Sequence, residues 1–188
     1  MGFRIADIVT GKFAALDYFK LNLRMTPAEQ QLLEKRKAEF DGFYSALMPT
    51  LVDFVGKLGV QPAYEVLKRA PDFLPQMERA LQSEDIRDSE SRNWFLLRVG
   101  YFFGEFFVQK YGGCWYVDDI YPSRYFGRYV VGKFRGVGDS APMIDPFEMA
   151  QEFVDRPIPR QMESLFAEVE GQLSKFVATK SSKANSSQ

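Results

Sequence analysis

Three acidic residues are the side chains of this sequence best suited to chemistry. Asp118 and Asp119 are adjacent in a short aromatic and β-branched stretch, and Glu105 precedes them in an aromatic-rich segment. Three carboxylates can hold Mg²⁺ or Ca²⁺, because both ions prefer oxygen ligands. A pair of carboxylates can also perform acid–base work of the glycosidase kind. The three residues therefore define a candidate hydrolytic or metal site.

A structural role competes with this chemistry. Successive residues of a strand point to opposite faces, so Asp118 and Asp119 converge on one ion only if the strand has already ended. The pattern favours solvated residues at the end of a hairpin, one of them paired with Arg124 or Arg128. For Glu105 it favours pairing with a nearby cation, or capping of a polar stripe, over the role of a base.

The missing residue types exclude several classes of site. The 188 residues include no histidine and a single cysteine, Cys114. Ser-His-Asp and Cys-His nucleophile pairs, histidine-containing zinc sites and axial haem histidine are therefore excluded. A multi-cysteine metal site and an internal disulfide are excluded too, and we expect no cofactor. Cys114 follows a predicted helix C-terminus, where the helix dipole does not lower a thiol pKa, so we expect a small buried apolar side chain.

The charge balance gives no reason to expect nucleic acid as a partner. The chain has 24 Lys and Arg against 25 Asp and Glu, a net charge of -1. Basic residues and tyrosines alternate after the acidic pair, which in a basic protein would favour single-stranded nucleic acid, but here a solvated sheet face is expected. This set is Arg124, Arg128, Lys133 and Arg135 with Tyr121, Tyr125 and Tyr129. Low cysteine usage and the lack of an apolar run near the roughly 20 residues of a membrane span predict a soluble, cytoplasmic protein.

A central helix is predicted over residues 92–110. The segment is apolar almost all round, which is typical of a helix buried inside a domain. Gly100 and Gly104 lie together on one side and lower helix propensity by roughly 1 kcal/mol each relative to alanine. We expect another backbone to approach this bare surface closely. A narrow polar stripe on the opposite side consists of Arg98, Glu105 and Gln109.

Further helices are predicted around this one. Residues 5–23 form an amphipathic pattern, and Thr26-Pro27-Ala28-Glu29 and Asp145-Pro146-Phe147-Glu148 both read as capped helix starts. Pro49 should bend or break the first capped helix, and Pro62 opens a short helix. A last apolar pattern begins at Met162. The tail after Ala178 has nothing to bury and is expected to be disordered.

A β-hairpin is predicted between the central helix and the Asp145 helix. Gly112-Gly113 ends the helix, strands follow at 114–120 and 125–134, and Gly127 or Gly132 is expected at a bulge. The hairpin is too short to be stable alone and must pack on helices. The fold class is therefore α+β: mostly helical, with a short antiparallel hairpin in the C-terminal half on the central helix. Residues 1–178 form one domain, with a helical part at 1–90 and a helix–hairpin–helix part at 91–178, before a tail at 179–188.

Part of this layout resembles small uncharacterised bacterial proteins, some linked with toxin–immunity or secretion loci. The matching residues lie between about Asn93 and Leu173 and are Gly104-Glu105, Gly112-Gly113-Cys114-Trp115 and Asp145-Pro146-Phe147. The resemblance implies an α+β fold and a binding role, and it carries over no catalytic residues. Residues 1 to about 90 lie outside it.

Three functions remain open from the sequence. We expect a non-enzymatic cytoplasmic protein that binds another protein as an immunity-type or accessory factor. A carboxylate-based, Mg²⁺-dependent hydrolase and a peripheral membrane protein attached through residues 5–23 are the alternatives. The candidate interaction or polar site comprises Arg98, Glu105, Trp115, Asp118, Asp119, Tyr121, Arg124 and Tyr125. Aromatic residues exposed together would mark the binding patch, and the candidates are Phe13, Tyr18, Phe19, Phe73, Tyr121 and Tyr125.

Overall fold

The structure of the chain is a computed structural model that describes residues 25–86, 88–135 and 142–184, with side chains to residue 174. The helix predicted at residues 5–23, and with it Phe13, Tyr18 and Phe19, lies outside the described residues. In the described part no helix combines the length and the apolar character that crossing a membrane requires.

Helix α1, Pro27–Lys57, begins with the predicted capping box. The Thr26 hydroxyl accepts a hydrogen bond from the Glu29 backbone N–H at 3.3 Å, and the Glu29 carboxylate accepts one from the Thr26 backbone N–H at 2.7 Å. The predicted break at Pro49 is wrong, since the helix continues through it. Pro49 lies on the exposed side of α1, where water can satisfy the carbonyl that loses its helical donor.

A compact run of short helical segments follows α1. A 3₁₀ turn at Ala63–Glu65 leads into helix α2, Val66–Arg69, and a second 3₁₀ turn at Ala70–Phe73 leads into helix α3, Leu74–Leu81. Phe73 is buried, so of the candidates for an exposed aromatic patch it belongs instead to the core.

Helix α4, Ser89–Tyr111, is the predicted central helix. Asp88 caps its start, and Gly112 ends it in the left-handed conformation with φ 64°. Every residue from Val99 to Phe107 is buried, as expected for a helix that is apolar all round.

Strands β1, Cys114–Val117, and β2, Tyr129–Gly132, form the predicted antiparallel hairpin and pack on α4. Both strands are shorter than predicted. The chain turns after Val117, and Gly127 occupies a left-handed turn with φ 72° instead of a bulge. Because side chains alternate along β1, Trp115 points inward and Cys114 outward. Cys114 is therefore exposed, which corrects the expectation that it is buried.

Helices α5, Pro146–Asp155, and α6, Met162–Ala184, complete the described fold. Helix α5 packs along α4, while Phe166 of α6 stacks on Phe107 with ring centroids 5.2 Å apart. The backbone of α6 extends to Ala184, beyond the predicted start of the tail. The mostly helical α+β class, with a C-terminal-half hairpin on a buried helix, is confirmed.

Candidate functional site

The two glycines of α4 seat two aromatic rings. A Cβ at Gly100 would lie 2.5 Å from Cδ1 of Phe147, and one at Gly104 would overlap the six-membered ring of Trp115. Aromatic side chains, and not another backbone as expected, make the close approach. The bare side of α4 thus fixes where the Trp115 and Phe147 rings lie.

Glu105, the residue after Gly104, fixes the Trp115 side chain by a hydrogen bond. The Trp115 Nε1 donates a hydrogen bond to Glu105 Oε1 at 3.0 Å, and Gln109 Nε2 donates to Oε2 at 3.3 Å. No cation pairs with Glu105 within the described residues, so the expected ion pair is wrong. The side chain is buried, and the loss of hydration raises its pKa, although the hydrogen bonds from Trp115 and Gln109 oppose that change.

Gln109, one turn further along the same stripe of α4, extends this network to the short helices. Its Nε2 donates to the Val66 carbonyl at 3.0 Å, and its Oε1 accepts from the Ala70 backbone N–H at 2.5 Å. The polar stripe predicted on α4 therefore connects the hairpin to the short helices. Arg98 takes no part in it: its guanidinium lies 4.1 Å from the Trp94 ring centroid and donates to the Trp94 carbonyl.

The acidic pair does not converge. Asp118 is fully buried, accepts a hydrogen bond from the Ile120 backbone N–H at 3.1 Å, and has an Oδ2 atom without a hydrogen-bond partner. Asp119 is exposed and pairs with Lys37 of α1 at 2.6 Å. The predicted pairing with Arg124 or Arg128 is wrong, as is a solvated Asp118. Among the described residues no three acidic or cysteine side chains gather closely enough to hold a metal ion.

The pKa of Asp118 should lie above the ordinary aspartate value, and the pKa of its neighbour Asp119 should lie below it. Burial raises the pKa of Asp118 despite a hydrogen bond from Ser123, whereas the Lys37 ammonium lowers the pKa of Asp119. The pH dependence of each ¹³Cγ chemical shift measures both values. Replacing Lys37 by alanine should raise the Asp119 pKa and leave that of Asp118 in place. A common pKa for both carboxyls in the wild-type protein would contradict this geometry.

The remaining predicted site residues lie around the hairpin connection. Tyr125 is buried, so it cannot contribute to an exposed aromatic patch, and Arg124 lies over its ring at 4.9 Å. The half-buried Tyr121 donates a hydrogen bond to Glu29 at 3.3 Å. These residues attach the connection to α1 and α5 and form no shared surface.

A groove of about 1010 Å³ lies between α1, the hairpin and α5, and we call it the α1–α5 groove. Its floor is made by Phe43, Leu97, Tyr129 and Phe147, all partly exposed. Phe43 stacks on Tyr129 with centroids 4.2 Å apart and meets the Trp115 ring edge-on at 5.4 Å. Because Trp115 and Phe147 rest on the α4 glycines, the floor of the groove is built directly on the central helix.

The α5 wall of the groove is acidic, and arginines neutralise it. Each of its four carboxylates pairs with an arginine. Asp145 pairs with Arg128 at 2.8 Å, and Glu148 pairs with Arg124. Glu152 pairs with Arg156 at 2.9 Å, and Asp155 pairs with Arg92 at 2.6 Å. Asp145 is also the N-cap of α5 and accepts from the backbone N–H groups of Phe147 and Glu148. Burial raises the pKa of Glu148 although two arginines are near it.

Sequence reasoning missed this groove. The spacing of Asp145, Glu148, Glu152 and Asp155 places them on one side of a helix, and that acidic side was the available signal. Their arginine partners come from distant parts of the chain, so no local pattern identifies the wall. Of the predicted site residues, Arg124 reaches the wall through its ion pair with Glu148.

The fold and the groove define a mostly helical α+β protein with a substantial concave surface in its described part. Compared with known protein families, curated proteins and solved structures, the chain matches none.

Proposed function

We propose that the protein is a non-enzymatic binding protein, of the immunity or accessory type, that holds a segment of another protein in the α1–α5 groove. The observation that carries the proposal is the partly exposed apolar floor within a charged rim, because buried apolar anchors surrounded by a polar rim supply most of the affinity of protein interfaces. Leu97 of this floor is 40% exposed.

The state of the groove carboxylates supports binding over catalysis. Each carboxylate of the α5 wall has an arginine partner, and Asp145 also caps a helix. Such pairing fixes the rim in one arrangement, and a rigid surface loses little entropy on association. The immunity-type role rests on the resemblance around Gly104-Glu105 and Trp115.

We also propose that the protein acts in the cytoplasm. Cys114 is an exposed free thiol, and a lone exposed thiol is compatible with a compartment in which thiols stay reduced.

Site-specific photo-crosslinking in cells that naturally produce the protein tests the groove. A photoreactive amino acid at position 97 should yield an adduct with one other protein, whereas the same group at Tyr64, which is 63% exposed outside the groove, should not. With that partner purified, Leu97→Glu should weaken binding at least about 10-fold by calorimetry, since it places a charge on the apolar floor. Tyr64→Glu should leave binding unchanged. Equal adduct formation at both positions, or none at position 97, would overturn the proposal.

A further inference from the structure

The two walls of the α1–α5 groove differ in how their charges are satisfied. The acidic α5 wall is neutralised by its own arginines. On the opposite wall Arg36 of α1 is exposed, and no carboxylate of the described residues pairs with it. The uncompensated charge of the groove is therefore positive and lies on the α1 side.

Arg36, Arg128 and Tyr129 all line the groove. The Arg36 guanidinium is 5.5 Å from the centroid of the Tyr129 ring, and the Tyr129 hydroxyl donates to the Arg36 carbonyl at 3.3 Å. Arg128, the next residue before Tyr129, bonds Asp145 through Nη1 while 52% of its side chain remains exposed. The Arg36 guanidinium thus borders the Tyr129 ring, and the Arg128 side chain lines the same groove.

We propose that the α1–α5 groove takes an acidic, apolar segment of a partner protein. A carboxylate of that segment binds Arg36 beside Tyr129, and an adjacent aromatic or aliphatic side chain rests on Phe43 and Leu97. The inference depends on the proposed function, because it names the chemistry of the occupant of the same groove.

Charge complementarity excludes the opposite choice. A basic segment would meet the exposed guanidiniums of Arg36 and Arg128, while the α5 carboxylates that could attract it already bind arginines. A polyphosphate such as nucleic acid would bring many charges to a groove in whose described part Arg36 is the cation without a carboxylate partner. A segment with one carboxylate next to an apolar side chain fits the groove, because the carboxylate can pair with Arg36 and the apolar side chain can pack on the apolar floor.

Selection of displayed random peptides on the full-length protein tests this chemistry. The wild-type protein should enrich peptides in which Asp or Glu neighbours an aromatic or aliphatic residue. The Arg36→Glu variant should lose these peptides or replace the acid by Lys or Arg at the same position. Lys68→Glu makes the same charge change at an exposed position of α2 outside the groove and should enrich the wild-type set.

A synthetic peptide from the enriched set then gives the magnitude. We expect Arg36→Glu to weaken its binding at least about 10-fold by calorimetry, and added salt to weaken wild-type binding because the contact is ionic. Enrichment without acidic residues, no enrichment, or identical sets for wild type and Arg36→Glu would overturn the inference.

The crosslinking experiment separates this inference from the proposed function. A partner captured at position 97 through a basic segment would support protein binding and overturn the acidic occupant. An adduct with the mass of two copies of this chain would assign the groove to self-association and would overturn both proposals.

Discussion

Replacing Gly104 by alanine is expected to destabilise the protein by about 3 kcal/mol, at the upper end of what overpacking costs in cores. The new Cβ would overlap the Trp115 ring, with even Cε2 only 2.6 Å away. That ring cannot withdraw freely, because its Nε1 is hydrogen-bonded to Glu105 and the Phe43 and Phe147 rings pack against it. Urea unfolding followed by circular dichroism measures the loss.

The matched control is Gly42→Ala in α1. No atom lies within 4 Å of a Cβ there, so the substitution should stabilise by roughly 0.5–1 kcal/mol through helix propensity. Trp115→Phe removes the atoms that clash, and its combination with Gly104→Ala should be less destabilised than the two separate losses added together. Equal effects at Gly42 and Gly104, or strict additivity with Trp115→Phe, would show that the ring does not rest on this glycine.

The sequence predicts the ends of helices well because their signals are local. Each of these signals lies within one helical turn of the helix end that it marks, and each marks an end that the structure confirms. The starts are marked by Thr26 with Glu29 and by Asp145 with Pro146, and one C-terminal end is marked by Gly112. The burial of the centre of α4 is also predictable. This segment is apolar on almost every side, so any side that faced water would expose apolar residues.

Partners of polar side chains are less predictable because they come from distant residues. Asp119 pairs with Lys37, and Glu105 accepts a hydrogen bond from a tryptophan of the hairpin. Spacing along the chain cannot reveal either contact. The break expected at Pro49 fails for a related reason: whether proline ends a helix depends on what faces it, and here that is solvent.

The residues that carry the resemblance described from the sequence pack together in the fold. Gly104 and Glu105 seat and bind Trp115, while the Asp145-Pro146-Phe147 start of α5 places Phe147 against Gly100. Segments far apart in sequence thus meet under the floor of the α1–α5 groove. The sequence contains all of these residues, yet only the fold shows that they support a single surface.

Removing the Glu105 side chain has the second large effect that we expect. Glu105→Ala should cost about 3 kcal/mol, because it opens a cavity, leaves the buried Trp115 Nε1 without an acceptor and removes one of the two acceptors of Gln109 Nε2. Glu105→Gln is the matched variant, because glutamine keeps an oxygen acceptor for Trp115 but has no ionisable carboxyl group. Both variants are compared with wild type by urea unfolding between pH 4 and pH 8.

The pH dependence of the Glu105→Gln comparison follows from burial. Burial raises the pKa of Glu105 in the folded protein, so the folded state holds this proton more tightly than the unfolded chain. The contribution of Glu105 to wild-type stability is complete below the unfolded pKa of about 4.3 and is lost as pH rises through the folded pKa. The stability of Glu105→Gln relative to wild type should therefore increase with pH. A constant difference would mean that folding leaves the Glu105 pKa unchanged, and a difference that turns towards wild type at high pH would mean that the ionised carboxylate stabilises the fold and holds Trp115 by its charge.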